Sequence, residues 1–216
     1  MINSLSLLSL TTLLLLSFVM LMQSQVSSLV KLLIAQNLLL AALLLITALD
    51  QHSLSLLFSC LLTVLLKVLL LPWLLWKLTT YLRKSGNMDP LINKPTLLLA
   101  GIGLTLLALM IGHQLRALLG PLATVTFSLS LANILMAILL IIFRRRTLSQ
   151  LVGLLVLENS LFLLAFNLTQ GLPWIIELGM SFDLMIGFMI FAVFLLRMRQ
   201  AGALEMQQLQ ELRESA

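Results

Sequence analysis

The sequence predicts an all-α polytopic membrane protein with about seven transmembrane helices, and three observations support this fold class. Hydrophobic residues make up 61% of the 216 residues and charged residues only 10%, with a mean hydropathy of +1.12, which lies far outside the range of soluble domains. Apolar runs long enough to cross a bilayer recur along the chain. Basic residues cluster in the polar turns between the runs, so the formal charge of +5 indicates membrane orientation rather than nucleic-acid binding.

The apolar runs divide the chain into units. The predicted spans are Ile2–Met22, Ser28–Leu49, Leu54–Leu82, Thr96–Leu115, Leu119–Phe143, Thr147–Leu168 and Leu172–Leu196. They form a three-helix membrane unit (1–82), a cytoplasmic loop (83–95), a connecting helix (96–118), a second three-helix unit (119–197) and a cytoplasmic tail (198–216). The first run has no basic start and no cleavage site between small residues, so we expect a retained helix rather than a signal peptide.

The distribution of Lys and Arg predicts the orientation. With seven spans, all of the 13 basic residues except Lys67 and Arg116 fall on one side of the membrane. Because positive residues are retained in the cytoplasm, we expect the N-terminus outside and the C-terminus in the cytoplasm.

The two three-helix units also share a plan. Each has an apolar helix, a helix with a central polar pair and a helix with one central charge; the pairs are Gln36-Asn37 and Glu158-Asn159, and the charges are Lys67 and Asp183. This pattern indicates a possible parallel repeat joined by the connecting helix, although a leucine-rich sequence also produces such matches by chance.

Three ionisable residues are predicted at the middle of the membrane. Glu158 and Asp183 each lie eleven residues into their spans, and Lys67 lies thirteen residues into its own. An ionisable side chain at that depth costs at least about 2.5–3.5 kcal/mol on insertion scales, so we expect it to face protein. The possible accessory polar residues are Asn159, Asn37, Asn133 and Glu177, the last nearer the outer end of its span.

Two interpretations of this layer are open. A buried row of acids and a base can exchange protons as its electrostatics change, which favours a proton-transfer role for Glu158, Asp183 and Lys67. Alternatively, the polar groups only bond helices together, which is the interpretation favoured for Asn37 and Asn133. Pro72 lacks an N–H and should leave the carbonyl of Val68 free, which predicts a kink just beyond Lys67.

The sequence makes an independent enzyme improbable. Cys60 is the single cysteine, so no disulfide, zinc site or iron–sulfur cluster can form from cysteines of this chain alone. Phosphate loops, nucleotide fingerprints and metal-binding helix motifs are absent from the sequence. We therefore expect no cofactor and no metal site in this chain, and any redox chemistry to belong to partner subunits.

Two stretches carry a resemblance to a known family. The residues from Arg144 to Asn159, followed by Asp183-Leu-Met-Ile-Gly187, resemble the small K-type subunit of complex I and the C-type subunit of Mrp antiporters. The whole chain, with its extra N-terminal half containing Lys67 and Pro72, resembles component E of hydrogenase-4. That component is a membrane subunit of formate-hydrogenlyase-type group 4 [NiFe] hydrogenases.

The resemblance implies a function, partners and a location in a bacterial inner membrane. Glu158 and Asp183 take the positions of the two K-type membrane glutamates, within a hydrophilic axis through the membrane arm, whereas Lys67 has no counterpart in the K-type subunit. The implied partners are antiporter-like membrane subunits, a quinone-type membrane anchor subunit and hydrophilic [NiFe] and iron–sulfur subunits, besides membrane lipids. The alternatives are a subunit of a cation/proton antiporter without a redox arm and a structural assembly spacer.

Overall fold

The computed structural model of the chain describes residues 2–51, 54–73, 75–76, 93–144, 147–169 and 189. Every regular element in these ranges is a helix, and no strand occurs among them. The helices described below belong to one compact unit, Met1–Ser181; of the remainder, Phe182–Ala216, only Met189 is described. The all-α class is therefore confirmed for the described part of the chain.

The helices follow the apolar runs of the sequence. They are α1 (Ile2–Met22), α2 (Val26–Gln51), α3 (Leu54–Thr63), a π-helical segment (Val64–Leu70), α4 (Lys94–Gln114), α5 (Arg116–Leu119), α6 (Pro121–Ile142) and α7 (Thr147–Thr169). Residues 71–73 and 75–76, just after the π-helical segment, are also helical. Leucine-rich runs adopt helices in a bilayer because a helix satisfies its own backbone hydrogen bonds where water is absent.

Four stretches within these helices are long and apolar enough to cross a membrane. They are Val26–Asp50, Lys94–Gln114, Ala123–Ile142 and Leu148–Phe166, and shorter apolar stretches occur at Leu7–Met22 and Val64–Trp73. These four stretches are consistent with a helical membrane protein, while the count of seven spans and the orientation stay predictions. The predicted seventh span (172–196) and cytoplasmic tail (198–216) lie outside the described residues apart from Met189.

The predicted fifth span is divided near its start. Gly120 has φ 78°, a left-handed conformation that glycine adopts without the steric penalty of a Cβ. Pro121 follows as the first residue of α6, where its missing N–H would have no partner in the helix anyway. The long helix therefore begins at Pro121 rather than at Leu119.

Helix α7 lies deep in the bundle and α4 lies at its edge. In the apolar stretch of α7, 61% of the residues are buried, whereas in that of α4 only 22% are buried. The α6–α7 contact is the most extensive in the unit, and a Cβ on Gly153 of α7 would stand 2.7 Å from Cγ1 of Ile141. Gly153 thus permits the close approach of these two helices.

The apolar core joins α7 to the N-terminal helices. Leu10 of α1, Leu44 of α2, Leu56 of α3 and Phe162 of α7 all belong to one buried cluster. Burial of these side chains holds the three N-terminal helices against α7.

A buried arginine ties the α6–α7 turn to α1. Arg144 Nη2 donates hydrogen bonds to the carbonyls of Met20, at 2.7 Å, and Leu21, at 3.2 Å. These carbonyls belong to the last turn of α1, which has no intrahelical donors left, and a cation there also complements the helix dipole. Burial lowers the pKa of the Arg144 guanidinium, which still stays protonated at neutral pH.

Candidate functional site

Lys67 and Glu158 form an ion pair inside the bundle. Lys67 lies in the π-helical segment and Glu158 in the middle of α7, and Lys67 Nζ is 2.9 Å from Glu158 Oε1. The two side chains are only 3% and 9% exposed, respectively. Two residues 91 positions apart in the sequence therefore neutralise each other's charge in a site that is almost closed to solvent.

An aromatic side chain covers the ammonium of this pair. Phe162 lies four residues after Glu158, on the same face of α7, and Lys67 Nζ stands 5.1 Å from the centre of its ring. The ring of Phe166, one turn further on, stacks on Phe162 at 6.3 Å between centroids. The negative face of an aromatic ring attracts a cation, so Phe162 provides the ammonium with a second favourable contact where water is excluded.

The backbone around Lys67 departs from α-helical register. Over Val64–Leu70 the helix is a π-helix, and the Leu71 N–H donates to the carbonyl of Leu66, five residues earlier. The next donor in this register would be residue 72, which is proline and has no N–H. In this register Pro72 leaves the carbonyl of Lys67 without a helical donor, whereas the α-helical expectation was Val68. The predicted kink just beyond Lys67 stays a prediction.

Two asparagines connect this free carbonyl to α7. The Asn37 side chain, on α2, donates from Nδ2 to the Lys67 carbonyl. Its Oδ1 in turn accepts a hydrogen bond of 2.7 Å from Asn159 Nδ2, and Asn159 is the neighbour of Glu158 in α7. Asn37 and Asn159 are each 2% exposed. Residues Glu158 and Asn159 thus hold Lys67 at its ammonium directly and at its carbonyl through Asn37.

The other central polar residues bond to α1 instead. Gln36 Nε2 donates to Ser17 Oγ at 3.2 Å and to the Leu13 carbonyl at 3.4 Å. Asn133 Nδ2 donates to the Leu10 carbonyl at 3.2 Å. The side-chain oxygens of Gln36 and Asn133 are buried and accept no hydrogen bond from the described residues. These two residues therefore join helices α2 and α6 to α1, apart from the ion pair.

The structure brings together four of the residues predicted from the sequence. Lys67, Glu158, Asn37 and Asn159 form one connected cluster, and Asn133 lies outside it. Asp183 and Glu177 lie outside the described residues, so their predicted places in the layer stay predictions. The sequence prediction missed Phe162, although its spacing of four residues from Glu158 was a usable signal.

The chemistry of the cluster is that of a proton donor facing a proton acceptor. Lys67 Nζ lies at hydrogen-bonding distance, 2.9 Å, from Glu158 Oε1, so a proton shift from the ammonium to the carboxylate would discharge the pair. Within the described ranges, no group of three or more His, Cys, Asp or Glu residues could hold a metal ion.

Comparison with known proteins shows the family of the chain. No protein-family model matches the chain, and no solved structure matches it. The chain is 32% identical, over 151 residues, to an uncharacterized protein, Rv0085, of Mycobacterium tuberculosis, and the match covers 69% of each chain. The chain therefore belongs to the same family as Rv0085 of Mycobacterium tuberculosis.

Proposed function

We propose that this chain is a non-catalytic membrane subunit of a proton-translocating [NiFe] hydrogenase or formate hydrogenlyase complex in a bacterial inner membrane. Its role is to conduct protons, or to relay charge, through Glu158, Lys67 and Asp183. The observation that carries the proposal is the Lys67–Glu158 ion pair, 2.9 Å long and almost fully buried.

The energetic setting of the pair favours a functional role. Removing two ions from water has a penalty of several kcal/mol per ion, and well-packed apolar residues of the same volume often give equal or greater stability. The neighbouring asparagines already bond α2, the π-helical segment and α7 with neutral groups. A charged pair adds something that neutral groups cannot supply, which is a proton that can move between an ammonium and a carboxylate.

The proposed path needs further members. By the resemblance to the K-type subunit, Asp183 would be a further group of the path that receives or supplies the proton. Asn159, Asn37, Asn133 and Glu177 are possible accessory polar groups. Antiporter-like subunits would continue the path within the membrane, and a quinone-type anchor subunit with [NiFe] and iron–sulfur subunits would carry out the redox chemistry, so this chain needs no cofactor of its own.

Two alternatives predict different behaviour. A cation/proton antiporter subunit without a redox arm would use the same pair, but its host complex would exchange sodium for protons and produce no hydrogen. An assembly spacer would use the pair only as a contact between helices, in which case a neutral replacement of equal volume leaves activity intact.

Inverted membrane vesicles that contain the whole complex provide the test. Proton translocation is measured per hydrogen formed in wild type, in Glu158→Gln and in the double variant Lys67→Met/Glu158→Gln. The double variant removes both charges, so the bundle stays neutral and the complex assembles. We expect hydrogen formation to persist in both variants while translocation per hydrogen falls several-fold. Wild-type translocation in the double variant would contradict the proposal and favour the spacer.

A further inference from the structure

Two adjacent residues of α7 hold Lys67, Glu158 at its ammonium and Asn159, through Asn37, at its carbonyl. Its ammonium contacts Glu158 at 2.9 Å, and its carbonyl accepts from Asn37, which is bonded to Asn159. Because Glu158 and Asn159 are adjacent, these contacts close a ring that runs through α7, α2 and the π-helical segment.

In the π register the Lys67 carbonyl has no helical donor, and the Asn37 amide takes that place. In an α-helix the Leu71 N–H would donate to the Lys67 carbonyl, four residues earlier. In this structure the Leu71 N–H donates to Leu66 instead, and Pro72 has no N–H to replace it. A buried carbonyl in a membrane needs a donor, and the Asn37 amide is the donor that the structure provides.

A change of register would move the ammonium away from its partner. One residue corresponds to about 100° of rotation around a helix with 3.6 residues per turn. If the Leu71 N–H donated to Lys67 as in an α-helix, the residues before the π-helical segment would therefore rotate relative to those after it. When the turn falls on the side that carries Lys67, the ammonium leaves Glu158 and the Phe162 ring, which lie on a different helix.

We infer that Asn37 is a positioning residue, which holds the π register at Lys67 through its carbonyl and thereby keeps the Lys67 ammonium on Glu158. Asn159 orients the Asn37 amide by donating to its oxygen, so that the amide nitrogen faces the Lys67 carbonyl. The consequence for proton transfer rests on the function proposed above, whereas the positional claim depends only on the contacts within this chain.

Solid-state NMR of the full chain in liposomes tests the positional claim. Labelling lysine at 15Nζ and glutamate at 13Cδ gives a dipolar cross-peak where an ammonium contacts a carboxylate, and the Lys67–Glu158 peak is assigned by its loss in Glu158→Gln. The test variant is Asn37→Leu. The matched control is Asn133→Leu, because Asn133 is equally buried and also donates to a backbone carbonyl of another helix, but lies outside the Lys67 cluster.

The expected result is loss of the cross-peak in Asn37→Leu, its retention in Asn133→Leu, and its return in Asn37→Gln, which restores an amide. A peak of wild-type intensity in Asn37→Leu overturns the inference, as does equal loss in both leucine variants. If Asn37→Leu fails to insert, Asn159→Leu serves instead, since it leaves Asn37 in place but without its orienting donor. Its peak should weaken, and wild-type intensity there overturns the inference.

Vesicle assays on the same variants separate this inference from the proposed function. Proton translocation should fall in Asn37→Leu and stay at the wild-type level in Asn133→Leu. Loss of the cross-peak with unchanged translocation supports the positioning role of Asn37 and contradicts the proton-transfer role of the ion pair.

Discussion

Removing one charge of the Lys67–Glu158 pair should destabilise the protein far more than removing both. The two atoms are 2.9 Å apart, so their attraction is about 6 kcal/mol at an effective dielectric constant near 20. Desolvation of the two ions offsets most of this gain in the intact pair. When Glu158→Gln leaves the ammonium without a counter-charge, the attraction is lost while the penalty remains, and the free energy of unfolding should fall by about 3–5 kcal/mol.

Lys67→Met should lower the stability by a similar amount, because it leaves the carboxylate unpaired. The double variant should regain most of the loss, since neutral groups of similar volume replace a buried pair at little penalty. The interaction energy between Lys67 and Glu158 in this double-mutant cycle should therefore reach several kcal/mol, at or above the roughly 0.5–3 kcal/mol typical of residues in contact. Reversible unfolding in mixed micelles provides the measurement.

A surface carboxylate provides the control for this cycle. Asp50 is exposed at the end of α2, so Asp50→Asn combined with Lys67→Met should be additive to within about 0.5 kcal/mol. Near-neutral single variants at Lys67 and Glu158, with an additive double variant, would refute the reasoning, because such a result requires both charges to be solvated.

Three further variants test the packing around the site. Phe162→Leu should lower stability by about 2 kcal/mol or more through loss of a desolvated cation–π contact, and by less in a Lys67→Met background, as measured by unfolding. Gly153→Ala should lower it by about 1–3 kcal/mol by forcing α6 and α7 apart, whereas Gly103→Ala, with open space around the added Cβ, should be neutral or stabilising by up to about 1 kcal/mol. Arg144→Gln should destabilise by about 1.5–3 kcal/mol and speed hydrogen exchange around the α1–α2 turn.

Each of these variants has a contradicting result. An equal Phe162→Leu penalty with and without Lys67 would mean that the ring only fills space. Equal effects of alanine at Gly153 and Gly103 would contradict the close α6–α7 contact. Unchanged exchange around the α1–α2 turn in Arg144→Gln would mean that the guanidinium does not hold the last carbonyls of α1.

The sequence predicts helix positions well because bilayer-length apolar runs leave few other solutions. The predicted first span coincides with α1, and the predicted sixth span, Thr147–Leu168, differs from α7 by one residue. The start of α6 was missed at Gly120-Pro121, where the pair itself was a readable turn signal. Counting residues also placed Lys67 and Glu158 at one depth, since depth follows from helical rise alone.

The contacts within the site required the tertiary structure. The depth of a residue in the membrane does not determine which sides of two helices contact each other. The Lys67–Glu158 contact could therefore be expected only as one of several pairings. The Asn37 bond depends on a one-residue change of register, and leucine-rich sequence does not distinguish an α-helix from a π-helix at that point. Pro72 indicated an irregularity, but the identity of the free carbonyl depended on the register.

The most direct test of the central claim is mild-detergent purification of this chain from membranes, followed by mass spectrometry and by nickel and iron analysis. Membership of a hydrogenase complex predicts that antiporter-like subunits and cysteine-rich iron–sulfur proteins accompany the chain, with nickel present in the same fraction. Antiporter-like subunits without nickel or iron would contradict the claim and favour a cation/proton exchanger. A chain that purifies without any membrane partner would contradict both.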